Sequence, residues 1–197
     1  MSFTAIADFA LGRPAIPESA LDMAATLLID TLGIAAAAAP LDAGRLARDH
    51  AFAFHAAARP QDAVPMLFDG RPASIPGAAF AAATQIDNFD GHDGYNPTKG
   101  HIGCAVVPAL FAFAKAHPDL SARDALTAMV LAYEISARAA IALHATVPEY
   151  HTSGAWNALG VAALGARFLG LDAARLRRAM GIAEFHGPRS QMMREIA

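Results

Sequence analysis

Apolar residues recur every three or four positions through most of the chain. In residues 16–40, IPESALDMAATLLIDTLGIAAAAAP, Leu21, Ala24, Leu28 and Leu32 line one face of a helix. Pro17 and Glu18 stand where a helix can begin, and Pro40 stands where it must stop. The same rhythm predicts helices over 41–60 (ending before Pro60), 77–89, 102–118, 121–143, 152–172 and 172–186. Ser121 and Asp172 are read as N-caps, and Thr152 and Ser153 as caps of the helix containing GAWNALG. Pro108 should kink its helix or sit in its first turns. Gly154, Ala158, Ala162 and Gly165 set small side chains along one side, which lets another helix come close. The rhythm fails in AVPMLFDGRPASIP, where Pro65, Gly70, Pro72 and Pro76 interrupt it. A short extended pair near residues 63–72, turning at Asp69–Gly70, is expected there. The fold class is all-α: a bundle-like helical domain over residues 1–197, with one minor extended patch.

Composition agrees with a packed domain. Hydrophobic residues make up 55% of the 197 positions and charged residues 17%, so a sizeable core can be buried. The net charge of −3 comes with no basic cluster. Nucleic acid is therefore not an expected partner, because phosphate binding needs a positive stripe. A single cysteine, Cys104, excludes a disulfide framework and fits a reducing compartment. It reads as a small buried side chain. Mean hydropathy is positive, +0.32, yet no charge-free run reaches the roughly 18 residues of a membrane span. MSFTAIADFALGRP has no basic start followed by an apolar run. A soluble, cytoplasmic protein with no membrane partner is expected. Its unusually apolar helices also predict a homo-oligomer, a dimer in the simplest case, to cover them.

Chemistry-bearing residues concentrate in one stretch, DNFDGHDGYNPTKGH, residues 87–101. It lies between two apolar helices, so it is anchored at both ends while its glycines free its shape. Asp87, Asp90 and Asp93 crowd together, which favours a raised carboxyl pKa and acid–base work. His92 and His101 are of the residue type that titrates near neutrality. His101 also precedes a helix start, where free N–H groups suit a carboxylate. A solvated polar loop would have the same composition. A metal is a third reading, but the spacing matches neither a calcium loop nor a zinc helix motif. Elsewhere, His151 stands before a helix start, where the neutral imidazole is favoured. His186 and Arg189 follow the last helix. His50, His55, Trp156 and Phe168 read as structural.

Four stretches together resemble the MmgE/PrpD family, which includes 2-methylcitrate dehydratase, cis-aconitate decarboxylase and iminodisuccinate epimerase. They are LLIDTLGIAAAAAP, GAAFAAATQIDNFDGHD, GHIGCAVVPALFAFAKA and YHTSGAWNALGVAALGARFLGLDAARLRRAMGIA, in the family's order. The resemblance implies the helical domain of that family. Asp90 and Asp93 fall on the aspartates of its DFDD-type sequence. His101 falls on the histidine before its valine-rich helix, and His151 on the histidine that opens its Gly/Ala helix. It thus implies Asp90, His101 and His151 as catalytic, with Asp93, Thr98 and Lys99 binding substrate. The implied substrate is a small di- or tricarboxylate. The implied chemistry is proton abstraction beside a carboxylate, followed by loss of water, loss of carbon dioxide or reprotonation. Dehydration is the first expectation. No metal and no organic cofactor is implied. Thr98 and Lys99 depart from the usual pattern, as does Gly94–Tyr95 after the aspartates. Members of the family are usually more than twice as long and add an α/β domain, which is expected to lie beyond these residues. A fragment of a longer protein is one expectation, a separate chain supplying that domain a second, and a non-catalytic dimerisation domain a third.

Overall fold

The computed structural model describes residues 2–147 and 152–187. Among these, eight α-helices and one two-stranded pair form an all-α domain. The helices are α1 (Phe3–Leu11), α2 (Glu18–Ala38), α3 (Asp42–Phe54), α4 (Ile75–Asp87), α5 (Gly103–Ala116), α6 (Ala122–Thr146), α7 (Gly154–Phe168) and α8 (Ala173–His186). The pair is β1 (Val64–Pro65) with β2 (Pro72–Ala73), antiparallel, with Val64 opposite Ala73. The turn between them has left-handed backbone at Phe68 and Gly70.

Most boundaries follow the local chemistry read from the sequence. Ser121 accepts the Asp124 N–H and Asp172 accepts the Arg175 N–H, so α6 and α8 are capped as expected. Ser74 caps α4 in the same way, which moves its start two residues ahead of the expected one. Pro108 lies inside α5, where it removes one internal hydrogen bond. α1 was not expected. It is only nine residues long, too short to set a period, yet it buries Ala7 and Ala10 beneath α7 and α8. Arg167 of α7 holds its end by donating to the carbonyls of Ala10 and Gly12.

The main core gathers α5, α6 and α7 with part of α2, around Val106, Val107, Leu110, Met129, Trp156 and Leu164. The close approach of α6 and α7 does not use the expected small-residue side. It centres on Gly160, where a Cβ would meet Ser136 Oγ at 1.9 Å and the Ala132 carbonyl at 2.7 Å. Ala158 and Ala162 are only half-buried and Gly154 is exposed, because Trp156, Asn157 and Leu164 turn the other face inward. α2 and α6 are long and apolar enough to cross a bilayer by length and composition. In this fold both pack into the bundle, α2 through Leu21, Ala24, Thr31, Ala35 and Ala38.

A polar clamp fixes the base of α4, which leads into the 87–101 loop. Arg48 is buried on α3. It donates to Gln85 of α4, to the Ala39 carbonyl at 2.8 Å and to Asp69 at 3.2 Å. Gln85 in turn donates to the Ala35 carbonyl at 2.6 Å. Four segments are thereby tied at one point. Two carbonyls at the end of α2, those of Ala35 and Ala39, gain partners as well.

Candidate functional site

Beyond Asp87 the chain makes a closed excursion before α5. Tyr95 and Gly100 pair across it, with the Tyr95 N–H donating to the Gly100 carbonyl at 2.7 Å. A 3-10 turn, Asn96–Thr98, fills the tip. Thr98 is 1% exposed, and its hydroxyl lies 3.5 Å from the Tyr95 carbonyl under that turn. Lys99 follows in left-handed conformation and is exposed. Gly100 presses on α7. A Cβ there would meet Ser153 Oγ at 2.4 Å and Trp156 Cζ2 at 2.7 Å, so only glycine permits the approach.

This packing delivers His101 to the start of α5 held on three sides. Its N–H donates to Ser153 Oγ at 3.2 Å. Its carbonyl accepts from Asn157 Nδ2 at 2.7 Å. Its ring Nδ1 lies 2.6 Å from the Asp93 carbonyl. A carbonyl only accepts, so Nδ1 carries a proton and Nε2 is the nitrogen left to exchange one. Nε2 faces Asp90, 4.0 Å from Oδ1. Ser153 makes no cap bond to its own helix; its hydroxyl has turned to His101 instead.

Asp93 supports the same corner with its side chain. Oδ1 accepts the Gly103 N–H at 2.9 Å, capping a helix whose own N-cap position offers no side-chain bond. The fit is tight: a Cβ on Gly103 would meet Asp93 Oδ1 at 2.3 Å, Tyr133 Oη at 2.6 Å and Thr31 Oγ1 at 3.0 Å. Burial, reinforced by the Asp93 charge, pushes the Tyr133 phenol well above its ordinary pKa, so it stays protonated.

His92 packs against His101, with ring centroids 4.2 Å apart. Its side chain is 1% exposed, and its Nε2 lies 3.5 Å from Asp87 Oδ1. That imidazole holds the Asp87 carboxyl below its usual range, against the opposing effect of partial burial. Asp90, by contrast, is 83% exposed at its side chain and has a left-handed backbone. Asparagine and aspartate tolerate that conformation better than most residues.

The structure thus brings Asp90, Asp93 and His101 into one corner. It buries Thr98 beneath the turn and leaves Lys99 at the exposed tip. His151 and Arg189 lie outside the described residues. His92 belongs to the cluster although its sequence position gave it no role. Asn157 was missed altogether; a lone amide on the apolar face of WNALG was the available signal. The aromatic cluster of His50 and His55 with Phe54 and Phe80 stands on α3 and α4, apart from this corner. A cavity of about 270 Å³ opens between the β1–β2 turn and the α4–α5 pair, lined by Met66, Phe68, Pro108, Phe111 and Lys115, and none of the loop residues reaches it.

Comparison with known proteins agrees with this architecture. Residues 4–195 match the model of the MmgE/PrpD N-terminal domain. Cis-aconitate decarboxylase of Homo sapiens is 32% identical over 115 residues, a stretch that covers 55% of this chain. The match spans 24% of that relative's length.

Proposed function

Because the chain belongs to the MmgE/PrpD family, we propose that it carries the proton-transfer part of a lyase acting on a small di- or tricarboxylate. The observation that supports this reading is the state of His101. With Nδ1 fixed as a donor, the neutral form of this imidazole is open at Nε2, which is the form a general base requires. Asp90 stands beside that nitrogen. In the dehydration that the family resemblance favours, Nε2 takes a proton from the carbon next to a carboxylate. The C–H electron pair becomes the new double bond, and the hydroxyl on the neighbouring carbon leaves as water after gaining a proton. His151, two positions before Ser153, is assigned the second proton. Lys99 is assigned a substrate carboxylate.

Decarboxylation is the second reading, and the name of the human relative favours it. There a carbon–carbon bond breaks, carbon dioxide leaves, and the carbon that keeps the electron pair takes a proton from a His101 that enters the cycle protonated at Nε2 and is recharged from water.

The loop carries Asp87, Asp90 and Asp93 against the single cation Lys99. A polycarboxylate bound there meets repulsion, so further positive groups are needed. We assign them to an α/β segment beyond these 197 residues, on the same polypeptide or another, and the exposed apolar residues Ile29, Phe54 and Phe185 to contacts with such a segment or with a second copy.

Hydrogen exchange at carbon gives the test. The full chain is incubated in deuterated water with a panel of hydroxylated and unsaturated polycarboxylates, alone and with an α/β partner segment. Deuterium entry beside a carboxylate is followed by NMR. His101→Gln should lower the exchange rate about 100-fold or more, with the melting temperature little changed. Exchange that persists in both His101→Gln and Asp90→Asn would remove this corner from the chemistry.

A further inference from the structure

We propose that Asp90, His92 and His101 form a binding site for one divalent transition-metal ion of the zinc class. Their donor atoms, two imidazole nitrogens and a carboxylate oxygen, all lie within 4.8 Å of one another. A second and independent observation is His92 itself. Its side chain is 1% exposed; Nε2 has only Asp87 beside it, at 3.5 Å, and Nδ1 has no hydrogen-bond partner. A buried imidazole nitrogen left without a partner is unfavourable unless something else takes up its lone pair.

The surroundings have the features of a metal shell. Metal-bound histidines fix their free nitrogen on a carbonyl or carboxylate. The Asp93 carbonyl does this for His101 at Nδ1, leaving Nε2 turned towards Asp90. Two imidazoles and a carboxylate suit zinc-class ions, whereas calcium and magnesium prefer oxygen donors throughout. Zinc-class bonds of about 2.0–2.2 Å set tetrahedral ligand atoms about 3.4 Å apart. The exposed Asp90 side chain is free to close that gap by a rotamer change. Sequence spacing gave no sign of the site because its ligands meet only through the folded loop, not along one helix. Asp87 and Cys104 form an alternative trio with His92. It has only one imidazole, and its thiol is directed at the His101 carbonyl, 3.9 Å away.

The consequence for turnover rests on the functional reading above. An ion on Nε2 of His101 occupies the lone pair that would accept the proton, so it acts as an inhibitor of proton transfer. Binding itself does not depend on that reading.

The test is titration of the chelator-treated full chain with Co²⁺, followed by its visible absorption, and with Zn²⁺ by calorimetry. One ion per chain is expected. Affinity should fall about tenfold or more in Asp90→Asn and in His101→Gln. Asp90 is exposed, so its variant tests the site without disturbing the core. His50→Ala, in the separate imidazole pair, should leave the affinity unchanged. Absence of Co²⁺ absorption and Zn²⁺ heat would overturn the proposal, as would binding that survives both ligand variants or disappears in His50→Ala. The deuterium exchange assay, run without metal on the chelator-treated chain, judges the catalytic reading separately.

Discussion

Asp93 holds His101 from the main chain and the next helix from the side chain. Its carbonyl stands 2.6 Å from His101 Nδ1, and its carboxylate takes the Gly103 N–H at 2.9 Å. These two tasks separate under mutation. Asp93→Ala deletes the α5 cap and should lower stability by about 1 kcal/mol. It leaves the carbonyl in place, so the His101 tautomer should persist. Asp93→Asn keeps an accepting oxygen and should lose only part of that stability. Urea unfolding reports the first effect, and the ¹⁵N shifts of the His101 ring report the second. A tautomer change in Asp93→Ala would show that the carboxylate, not the carbonyl, governs the imidazole.

Gly103 sits where Asp93, Tyr133 and Thr31 converge. Glycine to alanine inside a helix ordinarily gains about 0.5–1 kcal/mol. Here the new methyl would stand 2.3 Å from Asp93 Oδ1 and 2.6 Å from the Tyr133 hydroxyl. Gly103→Ala should therefore destabilise, by about 1–3 kcal/mol as in other overpacked sites. It should also displace the Asp93 carboxylate from its cap. A thermal melt at or above the wild-type temperature would contradict the geometry.

Asn157 fastens His101 to α7 through a 2.7 Å bond to its carbonyl. Asn157→Leu fills the same space but leaves that carbonyl only the weak Cys104 thiol donor at 3.9 Å, which costs about 1–3 kcal/mol. Its effect should extend to the proton chemistry, because the imidazole is aimed by the backbone that Asn157 holds. The expected signature is a lower rate constant for deuterium exchange, with substrate affinity little altered. Equal loss in affinity and rate would point to a general loss of structure instead.

How legible this corner was differs from residue to residue. The helices at 121 and 172 announce themselves because Ser121 and Asp172 are local caps. The crowding of Asp90, Asp93 and His101 is visible because all three lie in one short glycine-rich run. The role of His92 is not, since its burial against His101 depends on how the loop folds over α5. By its position Ser153 suggests a cap on its own helix. It contacts His101, 52 positions earlier in the chain, and no local rule predicts a pairing of that separation. The α6–α7 contact shows the same limit. Several small residues on α7 could have permitted close approach, and the choice of Gly160 follows from which face Trp156 buries.

The clamp beneath α4 should be visible in acid. Asp69 accepts from Arg71 through both side-chain oxygens and from Arg48 at 3.2 Å. Its side chain is 11% exposed. The Arg71 hydrogen bonds are the largest influence on its carboxyl, and they lower it from 3.8 to about 2, with Arg48 adding to the effect. The folded value lies below the unfolded one, so the stabilisation is complete above about pH 4 and is lost as pH falls towards 2. A shift of this size corresponds to roughly 2 kcal/mol at neutral pH. Asp69→Asn should then lower the unfolding free energy by about that amount at pH 7. The gap between variant and wild type should close over the interval from 4 to 2. Arg48 would also lose its carboxylate while remaining buried, which loosens the joint between α3 and α4. Urea titrations at a series of pH values measure both curves. Parallel curves across the acid limb would mean that the pair contributes nothing to folding, and that the base of the 87–101 loop is held by Gln85 and the Ala39 carbonyl alone.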